Sequence, residues 1–162
     1  MALRPPPSLD ELRDLMIKVY RFVHQVRELY RYVLDRVGIR EVPTVKFAGC
    51  REYYEGRPIV GRHVDGEVVI FYNQRYDDLC ITLLHELYHF IQHRLGRRKV
   101  SEVEADLWAK SLVRSEPNIC NRYIDASLWD SLATMFYVID LYHPNLYNLL
   151  WGIFSDVLHR CY

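Results

Sequence analysis

The chain has 162 residues, half of them hydrophobic, which is enough to bury one sizeable core and asks for a single domain over residues 1–162. Its 21 basic and 21 acidic residues cancel, which removes any global electrostatic case for nucleic-acid binding. No charged segment followed by an apolar one opens the chain, and no apolar run approaches the roughly 18 residues of a membrane span, so a cytoplasmic protein without signal peptide or membrane span is expected.

After an extended Pro5-Pro6-Pro7 leader, Ser8 or Asp10 can start a helix. Leu9, Leu12, Leu15, Val19, Phe22 and Val26 begin an apolar stripe at helical spacing that lasts to Gly38, so one amphipathic helix is predicted over residues 8–37. Within 43–72 the composition turns to β-branched and aromatic residues, with strand candidates at 42–48, 58–64 and 67–72. Asp65-Gly66 is a hairpin turn signal, so a small antiparallel sheet is expected here.

A second helix, starting at Asp77 or Asp78 and ending by Gly96, carries His85-Glu86-Leu87-Tyr88-His89. Residues four apart on a helix lie about 40° and 6 Å from one another, so the two imidazoles share a face and can fill two positions of a zinc ion. Glu86 sits beside that face, where it can act as general base on a water without binding the metal. His93 stands about 6 Å further along the axis, too far to converge on the same ion, and is read as a surface or supporting residue. Ser101-Glu102-Val103-Glu104-Ala105-Asp106 then opens a third helix, with Ser101 and Glu104 forming a capping-box pattern. Glu102 and Glu104 are both candidates for a third ligand, and Asp106 lies one turn beyond Glu102. The two metal-site helices together occupy 78–113.

Glu116-Pro117-Asn118 breaks the chain, and helices are predicted at 126–142 and 145–160, divided by His143-Pro144. Their aromatic density reads first as core. A lid over the cleft or a homodimer interface through these C-terminal helices is the second reading. Tyr123, Tyr137 and His143 are candidate donors to a developing oxyanion. Cys50, Cys80, Cys120 and Cys161 lack CxxC spacing, so free thiols are the expectation, although arginine outnumbers lysine, which fits a GC-rich or a thermophilic source, and hyperthermophiles do hold intracellular disulfides. The basic stretch Arg94, Arg97, Arg98 and Lys99 reads as a solvated loop.

HExxH followed by a helix reading E-x-x-A-D-x-x-A, here Glu102 to Ala109, resembles the gluzincin metallopeptidases, most closely the minigluzincins and the ImmA/IrrE-like peptidases. The motif helices are also similar to the core of the CAAX prenyl proteases. The resemblance implies an α+β zincin-like fold with one zinc ion held by His85, His89 and Glu102. It further implies Glu86 as general base, Asp106 as the acceptor that orients a ligand histidine, and a peptide or protein as substrate. Some minigluzincins occlude their own cleft, and residues 145–162 are the segment that would do so here. The alternative is a zinc-binding regulatory or interaction protein that keeps the fold with little proteolysis.

Overall fold

A computed structural model describes residues 5–97 and 99–161. Among these the chain is α+β, with five helices and two small sheets. Helix α1, Leu9–Arg36, starts at a full capping box, in which Ser8 and Glu11 each bind the other's backbone N–H. Its apolar stripe, including Leu15, Val19, Phe22, Val26 and Leu29, is buried at the centre of the core, where each side chain contributes about 1.5–3 kcal/mol relative to exposure.

Three strands form the main sheet: β1, Thr44–Ala48; β4, Gly61–Val64; and β5, Glu67–Phe71, in the order β1-β5-β4. The Asp65-Gly66 turn joins β4 to β5 as an antiparallel hairpin, with both turn residues at positive φ as such turns require. β1, however, runs parallel to β5, so the sheet is mixed where an antiparallel one is expected. The reason is the crossover between them, which also builds a separate two-stranded hairpin, β2 (Tyr53–Tyr54) with β3 (Arg57–Pro58). The predicted strand at 58–64 is thereby split in two.

Helix α2, Tyr76–Arg94, lies against β4 and β5 and also touches α1 and α4. Its N-cap is Arg75, not Asp77 or Asp78; these two sit in the first turn, where carboxylates favour the helix dipole. Helix α3, Glu102–Ser115, begins with Ser101 accepting the Glu104 N–H at 3.0 Å and packs on α2 alone among these elements. Arg98, part of the predicted basic loop before it, lies outside the described residues. Helix α4, Ala126–Tyr142, is capped by Asp125. Helix α5, Pro144–Ile153, is shorter than predicted, because the chain beyond it joins the sheet. There the Val157 carbonyl accepts the Phe47 N–H and the His159 N–H donates to the Phe47 carbonyl, adding a short parallel pairing to β1. Tyr147, fully buried, donates to the His159 carbonyl at 2.6 Å. Residues 144–161 thus serve the core in place of a lid, and none lines the cleft described below. No helix among the described residues is long and apolar enough to cross a membrane.

The expectation of free thiols is overturned. Cys50 is bonded to Cys161 and Cys80 to Cys120, with Cα atoms 5.9 and 5.8 Å apart. One bridge ties the C-terminal segment to the end of β1, and the other ties α2 to the turn after α3. Both pairs are distant in sequence, separated by 111 and 40 residues, so only the tertiary fold brings them together. Opening a loop of this length costs about 2–4 kcal/mol through the unfolded chain's regained freedom. Cys161→Ser should therefore lower urea-unfolding stability by about that amount under oxidising conditions, and an unchanged midpoint would show that the bridge contributes nothing.

Candidate metal centre

The backbone of α2 is fixed by its apolar residues, Leu79, Leu83, Leu84, Leu87, Phe90 and Ile91, all buried. That orientation turns His85 and His89 toward α3. Two alanines on α3, Ala105 and Ala109, are fully buried, and their small side chains let α3 lie close against α2. A close approach is what allows short carboxylates at the start of α3 to reach imidazoles on its neighbour.

The result is a cluster of three ligand atoms. His85 Nε2 lies 3.2 Å from His89 Nε2 and 2.5 Å from Glu102 Oε2, and His89 Nε2 lies 3.3 Å from the same oxygen. Tetrahedral zinc ligands at about 2.0–2.1 Å from the ion are about 3.3 Å from one another. Two edges of the triangle have that length, and the third, between His85 and Glu102, is drawn in by a direct hydrogen bond. The donor set, two imidazoles and one carboxylate, suits a divalent transition ion and leaves a fourth position without a protein ligand. His85, His89 and Glu102 could therefore hold a metal ion.

Asp106 accepts from His85 Nδ1 at 2.7 Å. A carboxylate only accepts, so Nδ1 carries a proton toward Asp106, and Nε2 carries one toward Glu102 that it must give up before its lone pair can bind a metal. Burial opposes a positive charge on His85, but the carboxylates of Glu86, Asp106 and Glu102 outweigh it and hold its pKa above the usual value. Metal binding must displace that proton, so affinity falls as pH falls.

Of the two glutamates, Glu102 lies with the histidines and Glu104 does not. Glu104 turns away, accepting from the Tyr88 hydroxyl at 2.5 Å and from Arg97 at 2.9 and 3.3 Å, a pairing that holds its pKa down. Tyr88 in turn packs on Trp108, which brings another side chain to the α2–α3 contact. His93 is outside the cluster, its ring 5.6 Å from that of His63.

Glu86 is 7% exposed and lies between α2 and β4, and burial pushes its carboxyl up to about 7. The strand makes room for it with Gly61, where an added Cβ would stand 2.8 Å from Thr82 Cγ2 and 3.0 Å from Glu86 Oε2. A glycine inside a strand marks such close approaches, and this was the available sign in the sequence that β4 faces the motif helix.

A cleft of about 590 Å³ runs along β4 past the cluster, lined by Gly61, Arg62, His63, Glu86, His89 and Glu102 among others. A second opening of about 720 Å³ continues it under the β2–β3 hairpin, with Gly61, Arg62 and Glu102 common to both. Phe71 N–H bonds the Val60 carbonyl, so Val60 and Phe71 form a hydrogen-bonded pair, and by alternation so do Arg62 with Val69 and Val64 with Glu67. The N–H and C=O groups of Gly61 and His63 consequently point to the strand's free edge. The predicted oxyanion donors lie elsewhere: Tyr123 stacks on Tyr32, Tyr137 borders Arg51 and Tyr72, and His143 caps α5. His63 and Arg62, which no motif marked, are in the cleft instead.

Compared with protein-family models, characterised proteins and solved structures, the chain matches none.

Zinc titration should separate the acidic residues. Glu102→Ala should lose most affinity, Glu104→Ala should stay close to wild type, and Asp106→Ala should weaken binding by about 10–100-fold. A larger loss in Glu104→Ala than in Glu102→Ala would move the ligand. Gly61→Ala should keep the metal while displacing the Glu86 carboxylate, which a crystal structure of that variant would display.

Proposed function

We propose that this chain is a zincin-type metallopeptidase of the gluzincin kind, hydrolysing peptide bonds with one zinc ion held by His85, His89 and Glu102. The observation that carries the reading is the joint placement of a three-ligand cluster and a buried carboxylate, Glu86, that makes no side-chain hydrogen bond among the described residues, beside an open cleft lined by Glu86, His89 and Glu102. A purely structural metal site would favour four protein ligands and no base beside it. When bound, zinc supplies Lewis acidity, polarising the scissile carbonyl and acidifying a water.

The chain's own groups account for the rest. Glu86 accepts a proton from the attacking water as its oxygen bonds to the carbonyl carbon, then delivers that proton to the amine nitrogen as the C–N bond breaks. Its place behind Gly61 limits its hydration and keeps it basic toward that proton. Asp106 holds His85 in the tautomer that faces the cluster. The outward backbone groups of Gly61 and His63 can pair with an extended substrate, as sheet edges do with peptides. Because the cleft continues on both sides of Glu102, the substrate is a chain cut internally, which makes the activity that of an endopeptidase. Two disulfides fit an oxidising compartment, and the cytoplasmic placement goes with this reading only for a hyperthermophile, whose intracellular proteins also carry such bonds.

Glu86→Gln should bind zinc as the wild type does and lose about 10²–10⁴-fold in hydrolysis of an unstructured protein substrate, because an amide cannot take the proton. Wild-type turnover by that variant, measured with matched zinc content, would reject the assigned base.

A further inference from the structure

The cleft differs in character on the two sides of the metal cluster. Toward the β2–β3 hairpin it passes Tyr54, Pro58 and Ile59. On the other side it is walled by the end of β4, the last turn of α2 and the connection from α2 to α3, which bring His63, His93, Arg97 and Lys99 to it. Acidic groups there, besides Glu86 and Glu102, come down to Asp65 in the hairpin turn.

Arg97 is engaged by Glu104. Lys99, exposed at the cleft, has no carboxylate within ion-pair distance among the described residues. His63 adds a neutral donor. Its Nε2 accepts the Gly66 N–H at 3.2 Å, and a neutral imidazole has a single N–H, so Nδ1 carries the proton and has no acceptor among the described residues. Burial above all, aided by His93 and His89 against the opposing charge of Asp65, pulls the His63 pKa down to about 4, so this donor persists at neutral pH.

A wall whose free groups are a cation and an N–H donor complements a carboxylate. We propose that His63 and Lys99 form a subsite for an acidic side chain of the substrate on one side of the scissile bond, which gives the enzyme a preference for Asp or Glu at one position. The subsite rests on the peptidase reading for its purpose, but peptide binding tests it apart from turnover.

The experiment uses the zinc-loaded Glu86→Gln protein and fluorescent twelve-residue peptides of neutral sequence in which a single Glu, Gln or Lys is walked along the chain. At one position Glu should bind about 5–10-fold more tightly than Gln, the gain expected of a partly exposed charge-assisted contact. Lys99→Glu should abolish that preference or turn it toward Lys, and His63→Phe should reduce it. Equal binding of the three peptides, an undiminished Glu preference in Lys99→Glu, or binding of none of them would overturn the subsite. Glu-selective binding without hydrolysis by the wild type would reject the peptidase reading and keep the subsite. Hydrolysis without selectivity would do the reverse.

Discussion

The close packing of α3 on α2 is the constraint on which the rest of the site depends. Ala105 and Ala109 are fully buried at that contact, and a larger residue at either would push α3 outward by the width of its side chain. Glu102 and Asp106 each precede or follow Ala105 within one turn, so their reach to His85 is set by the same spacing. Glu102 is at the first position of its helix, 78% exposed, and is not held by burial. Its position comes from Ser101, which closes the helix start, and from the imidazoles it meets. The E-x-x-A-D-x-x-A pattern is therefore a packing pattern as much as a chemical one: acids to contact the neighbour, alanines to let it come near.

Around that contact the fold sets each group to a different electrostatic task. Glu86, pressed between helix and strand, has its charged form destabilised by burial. Glu104, two residues and so about half a turn from Glu102 and of the same chemistry, is stabilised as an anion by Arg97 and Tyr88 and faces away from the His85–His89–Glu102 cluster. His63, shielded beside Phe90 and His93, stays neutral. The far end of the sheet is held by covalent and polar bonds: Cys161 joins Cys50, and His159 bonds Glu52 at 2.7 Å, which also takes Arg62 at 3.2 Å. Arg62 lies on β4, so the C-terminal segment steadies the strand at the cleft's rim while standing away from the cluster.

What could be read in the sequence follows the range of the interactions involved. The α1 stripe, the α3 start, and the His85, Glu86, His89 set express helix periodicity and local capping, which a few neighbouring residues determine. Glu102 and Glu104 could not be parted by spacing alone; the decision came from Tyr88 and Arg97, 16 and 7 residues away, claiming the second. The parallel β1–β5 pairing, the addition of residues 157–159 to β1 and both disulfides join segments far apart in the chain, and no local pattern carries them. For the same reason His63 passed unmarked: its role depends on a strand folding against the motif helix, and the nearest sign was Gly61. The aromatic residues of α4 and α5 had been open to three readings. Trp129, Phe136 and Tyr147, each fully buried, are core, while Tyr137, Leu149 and Ile153 remain exposed.

The account turns on one claim, that His85, His89 and Glu102 bind a single ion whose fourth position belongs to a water beside Glu86. Crystals grown with zinc and measured on either side of the zinc absorption edge test it most directly. The account predicts one anomalous peak about 2.0–2.1 Å from His85 Nε2, His89 Nε2 and a Glu102 oxygen, with a non-protein ligand on the Glu86 side. A peak elsewhere, or an ion closed by a fourth protein ligand, would contradict it.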